Sequence, residues 1–368
     1  KLAKRHDATP AEIVLAWLRT LSPAIVPLPG ATRLETVGSA MRGQRLVLDD
    51  DACETLAAHW LAVGDAAPNR TQRSGAEVVV ILGMPAAGKS TLAADYVARG
   101  YLRLNRDDRG GSLLELARAL DRELAGGADR IVVDNTYASR ASRAPVVEVA
   151  RRHGIPVRCV VVATSIEDAQ AYAVTRILER FGALVEPPQR RGEIGPGAQF
   201  RWRREYEPPR ADEGFVSIEE VSPVRVSRGG RSGIVVELDG IVWTGRPQSA
   251  ASIVLAPGVA EALAAWSDHV LGATLWRPGL AAETIAAMNA RLDELLGRSI
   301  DVRYCPHLPG PPVCWCRKPL PGLGLALARD HDLDPARTVH VGRGPADRGF
   351  AQRAGMRYAA IEDGWPTP

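Results

Sequence analysis

Nine residues, Gly83-Met84-Pro85-Ala86-Ala87-Gly88-Lys89-Ser90-Thr91, follow the apolar run Val78–Leu82 and lead into a helix-like segment ending near Ala98. Glycine at 83 and 88 allows the tight backbone that turns successive N–H groups toward an anion. Strand, Gly-rich loop and helix, in that order, form the context a Walker A phosphate loop requires. In that context Lys89 reaches the β- and γ-phosphates of a nucleoside triphosphate and the Ser90 hydroxyl ligates Mg²⁺. Thr91 completes the phosphate-binding set. ATP and Mg²⁺ are therefore the expected cofactors.

Phosphoryl transfer needs more than a phosphate cradle. Asn105-Arg106-Asp107-Asp108 lies at the end of the next strand, where a carboxylate can accept a proton from an attacking hydroxyl. The same acids could equally cap the following helix. Ile131-Val132-Val133 ends in Asp134-Asn135-Thr136, and a carboxylate at such a strand end serves the metal or its waters or closes a simple turn. Arg176 and Arg180 stand four residues apart on one helical face. They form either a lid over the transferring phosphate or a solvated surface. Phe200-Arg201-Trp202-Arg203-Arg204-Glu205-Tyr206 interleaves rings and cations; it suits base stacking or a surface helix with snorkelling arginines.

A second group lies near the C-terminus. Cys305-Pro306-His307 and Cys314-Trp315-Cys316 supply four donors of the zinc type, spaced so that they can close tetrahedrally around Zn²⁺. A structural zinc is expected there rather than a disulfide framework. Cys53 and Cys159 read as buried thiols.

Composition singles out two cations. Of 46 Lys and Arg residues only Lys1, Lys4, Lys89 and Lys318 are Lys, so 42 are Arg. Whatever bias favours arginine has spared 89 and 318, as expected where one compact ammonium must fit and a planar guanidinium cannot replace it. Net charge is only +3, so nucleic acid is not demanded by the chain as a whole. No apolar run approaches the ~20 residues of a membrane span, and neither a signal peptide nor a membrane partner is read. The cysteine usage fits a reducing cytoplasm. The first residue is Lys, which reads as a cut or processed N-terminus.

The positioning elements divide the chain into segments. Residues 1–62 carry a helix opened by Thr9-Pro10-Ala11-Glu12, a short strand at 24–28, and a second helix from about Asp49 to Trp60. Residues 63–75 are polar and small, and read as a linker. Residues 76–225 alternate strands (77–82, 101–105, 130–134, 156–163) with helices (89–98, 112–125, 139–153, 166–181), which predicts a parallel sheet covered on both faces. The ligand belongs at the carboxyl ends of its strands. A second α/β region, 232–368, has strands expected at 233–238, 269–274, 337–341 and 357–361.

Three resemblances sharpen the chemistry. GMPAAGKST, GYLRLNRDD, VVDNTYASRASR, RHGIPVRCVVV, TRILER and WRREYEPPRADEGF, in that order, resemble the kinase domain of the polynucleotide kinase-phosphatase family. That resemblance implies Asp107 as general base for a 5′-hydroxyl and Asp134 as a second essential acid. It gives Lys89 and Ser90 to ATP and Mg²⁺, and Arg176 and Arg180 to the lid. It implies a DNA or RNA strand with a 5′-hydroxyl end as partner, and end repair with a strand-sealing ligase as context. The basic residue expected on the acceptor's phosphate has no clear counterpart: Arg109 is near, but Gly110 stands in its place.

Gly233–Gly240 looks like the first motif of a haloacid-dehalogenase (HAD)-type phosphatase, normally Asp-x-Asp-Gly. Here it reads Glu237-Leu238-Asp239-Gly240. The extra methylene displaces the attacking oxygen by about 1 Å, a shift that can cost ~10²-fold. The resemblance keeps Asp239 as acid/base, Thr274 at the end of the next strand as phosphate-binding hydroxyl, and Lys318 as the neutralising lysine. The last motif, Gly342-Arg343-Gly344-Pro345-Ala346-Asp347, retains Asp347 but sets Arg343 where an acid should hold Mg²⁺. The expectation is a phosphatase fold with weak or absent 3′-phosphatase activity. The Cys/His loop before Arg317-Lys318-Pro319 is similar to the zinc loop of bisphosphate phosphatases of the same superfamily.

ATPAEIVLAWL and PAIVPLPGATRLETV resemble the C-terminal end of an aldo-keto reductase, implying a partial (β/α)8-barrel. Arg33 matches a position that can touch a cofactor phosphate, but the catalytic tetrad of that family is absent. Two other readings of the whole remain open: a P-loop kinase of small molecules, and a non-catalytic ATP-binding scaffold.

Overall fold

The structure is a computed structural model that describes residues 2–21, 25–27, 33–65, 75–184, 194–225, 229–310 and 314–368. The chain forms two compact units. One is Lys1–Thr71 with Arg152–Gly154; the other is Gln72–Arg151 with Ile155–Pro368.

In the first unit the helices are α1 (Leu2–Arg5), α2 (Pro10–Leu21), α3 (Leu34–Arg45) and α4 (Asp50–Asp65). Thr9 and Glu12 form a reciprocal cap at the start of α2: the Thr9 N–H donates to Glu12 Oε2 at 2.9 Å and the Glu12 N–H to Thr9 Oγ1 at 3.3 Å. Ile13, Ala16 and Trp17 of α2 bury against Leu48 and Ala52. Gly43 lets α3 cross closely, because a Cβ there would stand 3.1 Å from Glu12 Cα. The strand expected at 24–28 is not seen: residues 25–27 are irregular, and 24 and 28 lie outside the described residues. Among the described residues this unit holds helices only, so the barrel fragment is not reproduced. Arg33 stands just before α3 as an exposed residue. Most of the expected linker lies outside the described residues.

The second unit carries two five-stranded sheets, all of whose pairings are parallel. The elements of the first are β1 (Glu77–Leu82), α5 (Lys89–Ala98), β2 (Leu102–Asn105), α6 (Arg106–Arg109), α7 (Leu113–Ala125), β3 (Arg130–Asp134), α8 (Arg140–Arg152), β4 (Val157–Val162), α9 (Ile166–Phe181), α10 (Pro196–Glu205) and β5 (Ser217–Val221). Strand order is β2-β3-β1-β4-β5. Helices cover both faces, so β1, β3 and β4 read as continuous Val/Ile/Leu runs. Val78, Val80 and Leu82 point into one core layer, Val79 and Ile81 into the other. β5 was not expected; its Ser-Ile-Glu-Glu-Val pattern is that of a half-solvated edge strand.

The second sheet has β6 (Arg231–Glu237), α11 (Val259–Ala264), β7 (Val270–Trp276), α12 (Ala282–Leu296), β8 (Asp301–Cys305), α13 (Gly322–Asp330), β9 (Leu333–Gly342), α14 (Pro345–Ala354) and β10 (Arg357–Ala360). Its order is β10-β9-β6-β7-β8, again an α/β arrangement with a parallel sheet. β8 was also unexpected. β7 runs two residues beyond Thr274, which therefore lies inside the strand opposite Glu237 rather than ending it.

Candidate active site

The phosphate loop joins β1 to α5. Gly88 has φ +95°, in the left-handed region that glycine tolerates. Gly83 is needed for a different reason: a Cβ there would meet Val162 O at 2.9 Å, so the loop could not close onto β4. Thr164 Oγ1 donates to Ala87 O at 2.7 Å, fastening the loop to the start of the β4–α9 connection. Lys89 is buried and donates from Nζ to Met84 O at 2.8 Å. Burial pushes its pKa down to about 8, partly offset by the carboxylates of Asp134 and Asp107 and reinforced by Arg176. Lys89 therefore senses three of the expected site residues, contributed by three other elements.

Two strand ends set the acids. Asn105 and Asp134 are register partners on β2 and β3. Asn105 Nδ2 donates to Asp134 O at 2.9 Å and to Oδ2 at 3.2 Å. Asn105 Oδ1 accepts the N–H groups of Asp107 at 2.6 Å and Asp108 at 3.2 Å, so Asn105, not either acid, caps α6. The Asp107 side chain stays exposed, with Arg106 3.8 Å away. Asp108 instead pairs with Arg103 at 3.0 Å. Arg103 also donates to Asp134 Oδ2 at 2.6 Å and to Ser90 Oγ at 3.3 Å, and Ser90 Oγ donates to Asp134 Oδ2 at 3.2 Å.

Among the described residues, the buried Asp134 Oδ1 has no hydrogen-bond partner, and neither does the buried Asn135 Nδ2. A buried, unpartnered carboxylate oxygen beside the Ser90 hydroxyl suits a hydrated divalent cation, so these residues fit Mg²⁺. Sequence reasoning missed Arg103 and Asn105. Their signal was positional: both lie on the strand whose end carries the candidate base.

The lid residues are only partly together. Arg176 and Arg180 are both exposed on α9. Arg176 acts on Lys89, whereas Arg180 lies over the Phe181 ring at 5.0 Å. Thr91 is exposed in the first turn of α5. The aromatic–basic run is α10. Gln199 Nε2 donates to Pro85 O at 3.0 Å and Trp202 Nε1 to Thr136 O at 3.0 Å, so this helix packs on the phosphate loop and the β3 end. Trp202 stacks on Tyr206, 4.5 Å between centroids, instead of offering a free ring; Arg201, Arg203 and Arg204 are exposed. Arg109 pairs with Glu123 at 3.4 Å.

The second sheet gathers Glu237, Asp239, Thr274, Lys318 and Asp347 around a cavity of about 370 Å³. Lys318 Nζ donates to Glu237 Oε2 at 2.5 Å and to Asp347 Oδ1 at 2.6 Å. Burial nevertheless pushes the Glu237 carboxyl upward, against the pull of Lys318. Thr274 Oγ1 lies 3.4 Å from Glu237 Oε2. Arg277 grips both oxygens of Asp239, Trp243 Nε1 donates to Oδ1 at 2.9 Å, and Arg246 stands 3.7 Å away.

Arg343, expected to set a cation where an acid should hold Mg²⁺, turns its guanidinium elsewhere. It pairs with Glu362 at 2.9 Å, and only its backbone N–H reaches Asp347, at 2.7 Å. The cation between the acids is Lys318. His340, unnoticed in the sequence, is fully buried beneath it, and burial pushes its pKa down to about 4. His340 Nδ1 lies 3.0 Å from Val235 O, and its Nε2 lies 3.2 Å from Asp347 Oδ1 and 3.3 Å from Lys318 Nζ.

Cys305, His307, Cys314 and Cys316 bring their donor atoms within 4.8 Å of one another. Tetrahedral geometry at Zn–S ~2.3 Å sets ligand atoms about 3.8 Å apart. Cys305 and Cys314 sulfurs are 3.8 Å apart, and His307 Nδ1 is 3.4 and 3.2 Å from the Cys305 and Cys316 sulfurs. The residues fit zinc. Cys305 ends strand β8, so the donor set is not purely a loop. Elsewhere Cys159 is buried but Cys53 only half-buried.

Residues 78–186 match a family model described as AAA domain. The chain is 30% identical over 150 residues to the bifunctional polynucleotide phosphatase/kinase of Schizosaccharomyces pombe, covering 39% of this chain and 33% of that protein. It is 29% identical over 159 residues to the D-glycero-D-manno-heptose-1,7-bisphosphate 7-phosphatase of Thermosynechococcus vestitus, covering 37% of this chain and 81% of that enzyme. A crystal structure of the D,D-heptose 1,7-bisphosphate phosphatase from B. bronchiseptica, complexed with magnesium and phosphate, aligns with TM-score 0.32 and 28% identity over 35% of this chain and 78% of that one.

Fold and site thus define a P-loop α/β region, over which the AAA-domain match lies, followed by a second parallel α/β region similar in sequence to a bisphosphate phosphatase. The kinship with polynucleotide phosphatase/kinase is partial, since the chain spans about a third of that relative's length. No helix among the described residues is long and apolar enough to cross a membrane.

Proposed function

We propose that the chain is an ATP-dependent kinase that phosphorylates the 5′-hydroxyl of a polynucleotide, with a HAD-like region that has lost phosphatase chemistry. The observation that carries this reading is the α6 turn. Asn105 ties the backbone of Asp107 to the metal-suited Asp134, whose carboxylate accepts from the Ser90 hydroxyl of the phosphate loop. A candidate base and a candidate metal anchor thereby stand at neighbouring strand ends, beside the Ser90 hydroxyl of the phosphate loop.

In the proposed reaction Asp107 accepts the hydroxyl proton as the acceptor oxygen bonds to the γ-phosphorus. The bond from the γ-phosphorus to the β–γ bridging oxygen breaks, and ADP leaves. Lys89 and Arg176 stabilise charge on the phosphoryl oxygens, with Arg180 further out along α9. Ser90 and Asp134 would hold Mg²⁺, which supplies further charge neutralisation when bound. Exposure suits Asp107 to this role, since the base must meet an incoming strand end. The exposed Arg201, Arg203 and Arg204 of α10 support phosphate contacts by that strand. The partial likeness to polynucleotide phosphatase/kinase supports a nucleic-acid acceptor.

The test is transfer of γ-³²P from ATP to 5′-hydroxyl single-stranded DNA and RNA, beside a panel of sugars and metabolites. Wild type is compared with Lys89→Ala and Asp107→Asn. Labelled oligonucleotide that vanishes in both variants is expected. A labelled metabolite with no labelled strand would transfer the site to a small-molecule kinase.

A further inference from the structure

The phosphatase-like region has a physical connection to the nucleotide site that its own chemistry does not explain. Trp315 sits between two of the candidate metal ligands and is 1% exposed. It packs with Leu320 and Ala326 of its own region and, beyond them, with a helix of the first sheet. Its cluster is built with Ala173, Val174, Ile177 and Leu178 of α9, and the phosphate-loop residue Ala86 packs against the same cluster. Ala86 holds φ +64°, a strained value for a residue with a Cβ, so the loop at this point depends on its neighbours for support.

Trp315 is itself fixed on several sides. Its Nε1 donates to Ile194 O at 3.2 Å, and its carbonyl accepts the Gly322 N–H at 2.9 Å. Any Cβ at 322 would fall 2.4 Å from that carbonyl. Both ends of α9 are also gripped from outside the kinase sheet. Arg353 reaches Gln170 at 2.6 Å and Glu167 at 3.4 Å at the first turns. Arg329 donates to Leu178 O at 3.0 Å at the last turn. The helix so held carries Arg176.

We propose that Trp315 is a positioning residue for the triphosphate site: from the HAD-like region it seats α9, and with it Arg176, together with Ala86 of the phosphate loop. The donor set Cys305, His307, Cys314 and Cys316 fixes the backbone on either side of Trp315, so filling that site stiffens the kinase lid. On this view the decayed phosphatase persists as a brace for the neighbouring sheet. The inference rests on the nucleotide-binding part of the proposed function and not on the identity of the acceptor.

The test measures ATP and ADP affinity by calorimetry, and hydrogen exchange along 166–181, in the full chain. Trp315→Ala is expected to lower ATP affinity roughly tenfold with ADP affinity little changed, the size of one lost charged contact, and to speed exchange across α9. Arg176→Ala should show the same ATP-selective loss, and the double variant no more than either single one. Trp315→Phe should restore most of the affinity. Stripping the Cys/His site with a chelator should speed exchange across α9 in the wild type. Should Trp315→Ala not fold, Arg329→Gln, which removes the grip on Leu178 O together with the pairing to Asp330, takes its place and should move both readouts in the same direction, with Asp330→Asn as the control for the second contact.

Unchanged α9 exchange and an unchanged ATP/ADP ratio in the folded variant would overturn the proposal, even if the wild type phosphorylates DNA. Conversely, a wild type that binds ATP but labels no strand would overturn the kinase reading and leave this test intact.

Discussion

The amide of Asn105 donates to the carbonyl and carboxylate of Asp134, while its oxygen accepts the backbone N–H groups that begin the α6 turn. One buried side chain thus couples the candidate metal anchor to the backbone that presents Asp107. Asn105→Ala removes a helix cap and leaves polar groups unpaired, at a cost of about 2 kcal/mol. Urea unfolding should show that loss, and phosphoryl transfer should fall with little change in ATP affinity. Asn105→Asp would keep the cap but set a second carboxylate against Asp134, so it should not rescue activity.

Among the described residues, the ion-pair partner of Asp107 is Arg106, at 3.8 Å. Asp107→Asn should therefore leave stability and nucleotide affinity nearly unchanged while lowering transfer by about 10²–10⁴-fold, the range for a general base. Single-turnover transfer to a 5′-hydroxyl oligonucleotide measures it. A loss confined to ATP binding would instead make Asp107 a binding residue.

Lys89 links nucleotide binding to pH. Burial lowers its pKa from 10.5 to about 8, so it loses charge as pH rises through that value. Bound phosphates favour the ammonium and raise the pKa again. ATP affinity should therefore be full below about pH 8 and decline above it, with net proton uptake on binding near pH 8.5. Calorimetry in buffers of different ionisation enthalpy reads that uptake. It should be absent in Lys89→Ala.

Restoring the missing nucleophile should not restore phosphatase activity. In Glu237→Asp the shorter side chain still faces Lys318, and Asp239 remains held by Arg277 and Trp243. Hydrolysis of p-nitrophenyl phosphate should stay at background in Glu237→Asp and in Glu237→Asp/Arg343→Asp. Turnover in the single variant would show that the clamp on Asp239 opens readily.

Metal analysis should find about one zinc per chain, since the four donors already stand near tetrahedral spacing. Cys314→Ser should lower the content well below one. It should also lower the thermal midpoint by several degrees, as expected for loss of a structural ligand.

Local sequence carried the first sheet's elements well. Continuous apolar runs fixed β1, β3 and β4, and an alternating α/β order implied their parallel pairing. The helices at 89–98 and 166–181 match to the residue. Polar or short strands escaped: β5 is half-solvated at an edge, and β8 spans five residues of mixed character. In the first unit the helix signature of Thr9–Glu12 was legible, while the barrel fragment it resembled depends on strands that the described residues do not show.

The phosphate loop, the strand-end acids and the Cys/His spacing were written in the chain itself, because each is a short-range pattern whose backbone geometry follows from a few neighbouring residues. Partner choice was not. That Asn105 faces Asp134, that Lys318 bridges Glu237 and Asp347, and that Trp315 packs with α9 as well as with its own region are contacts between residues far apart in sequence. In a chain with 42 arginines, no local rule says which of them meets a carboxylate; only the packing of the sheets and helices decides it.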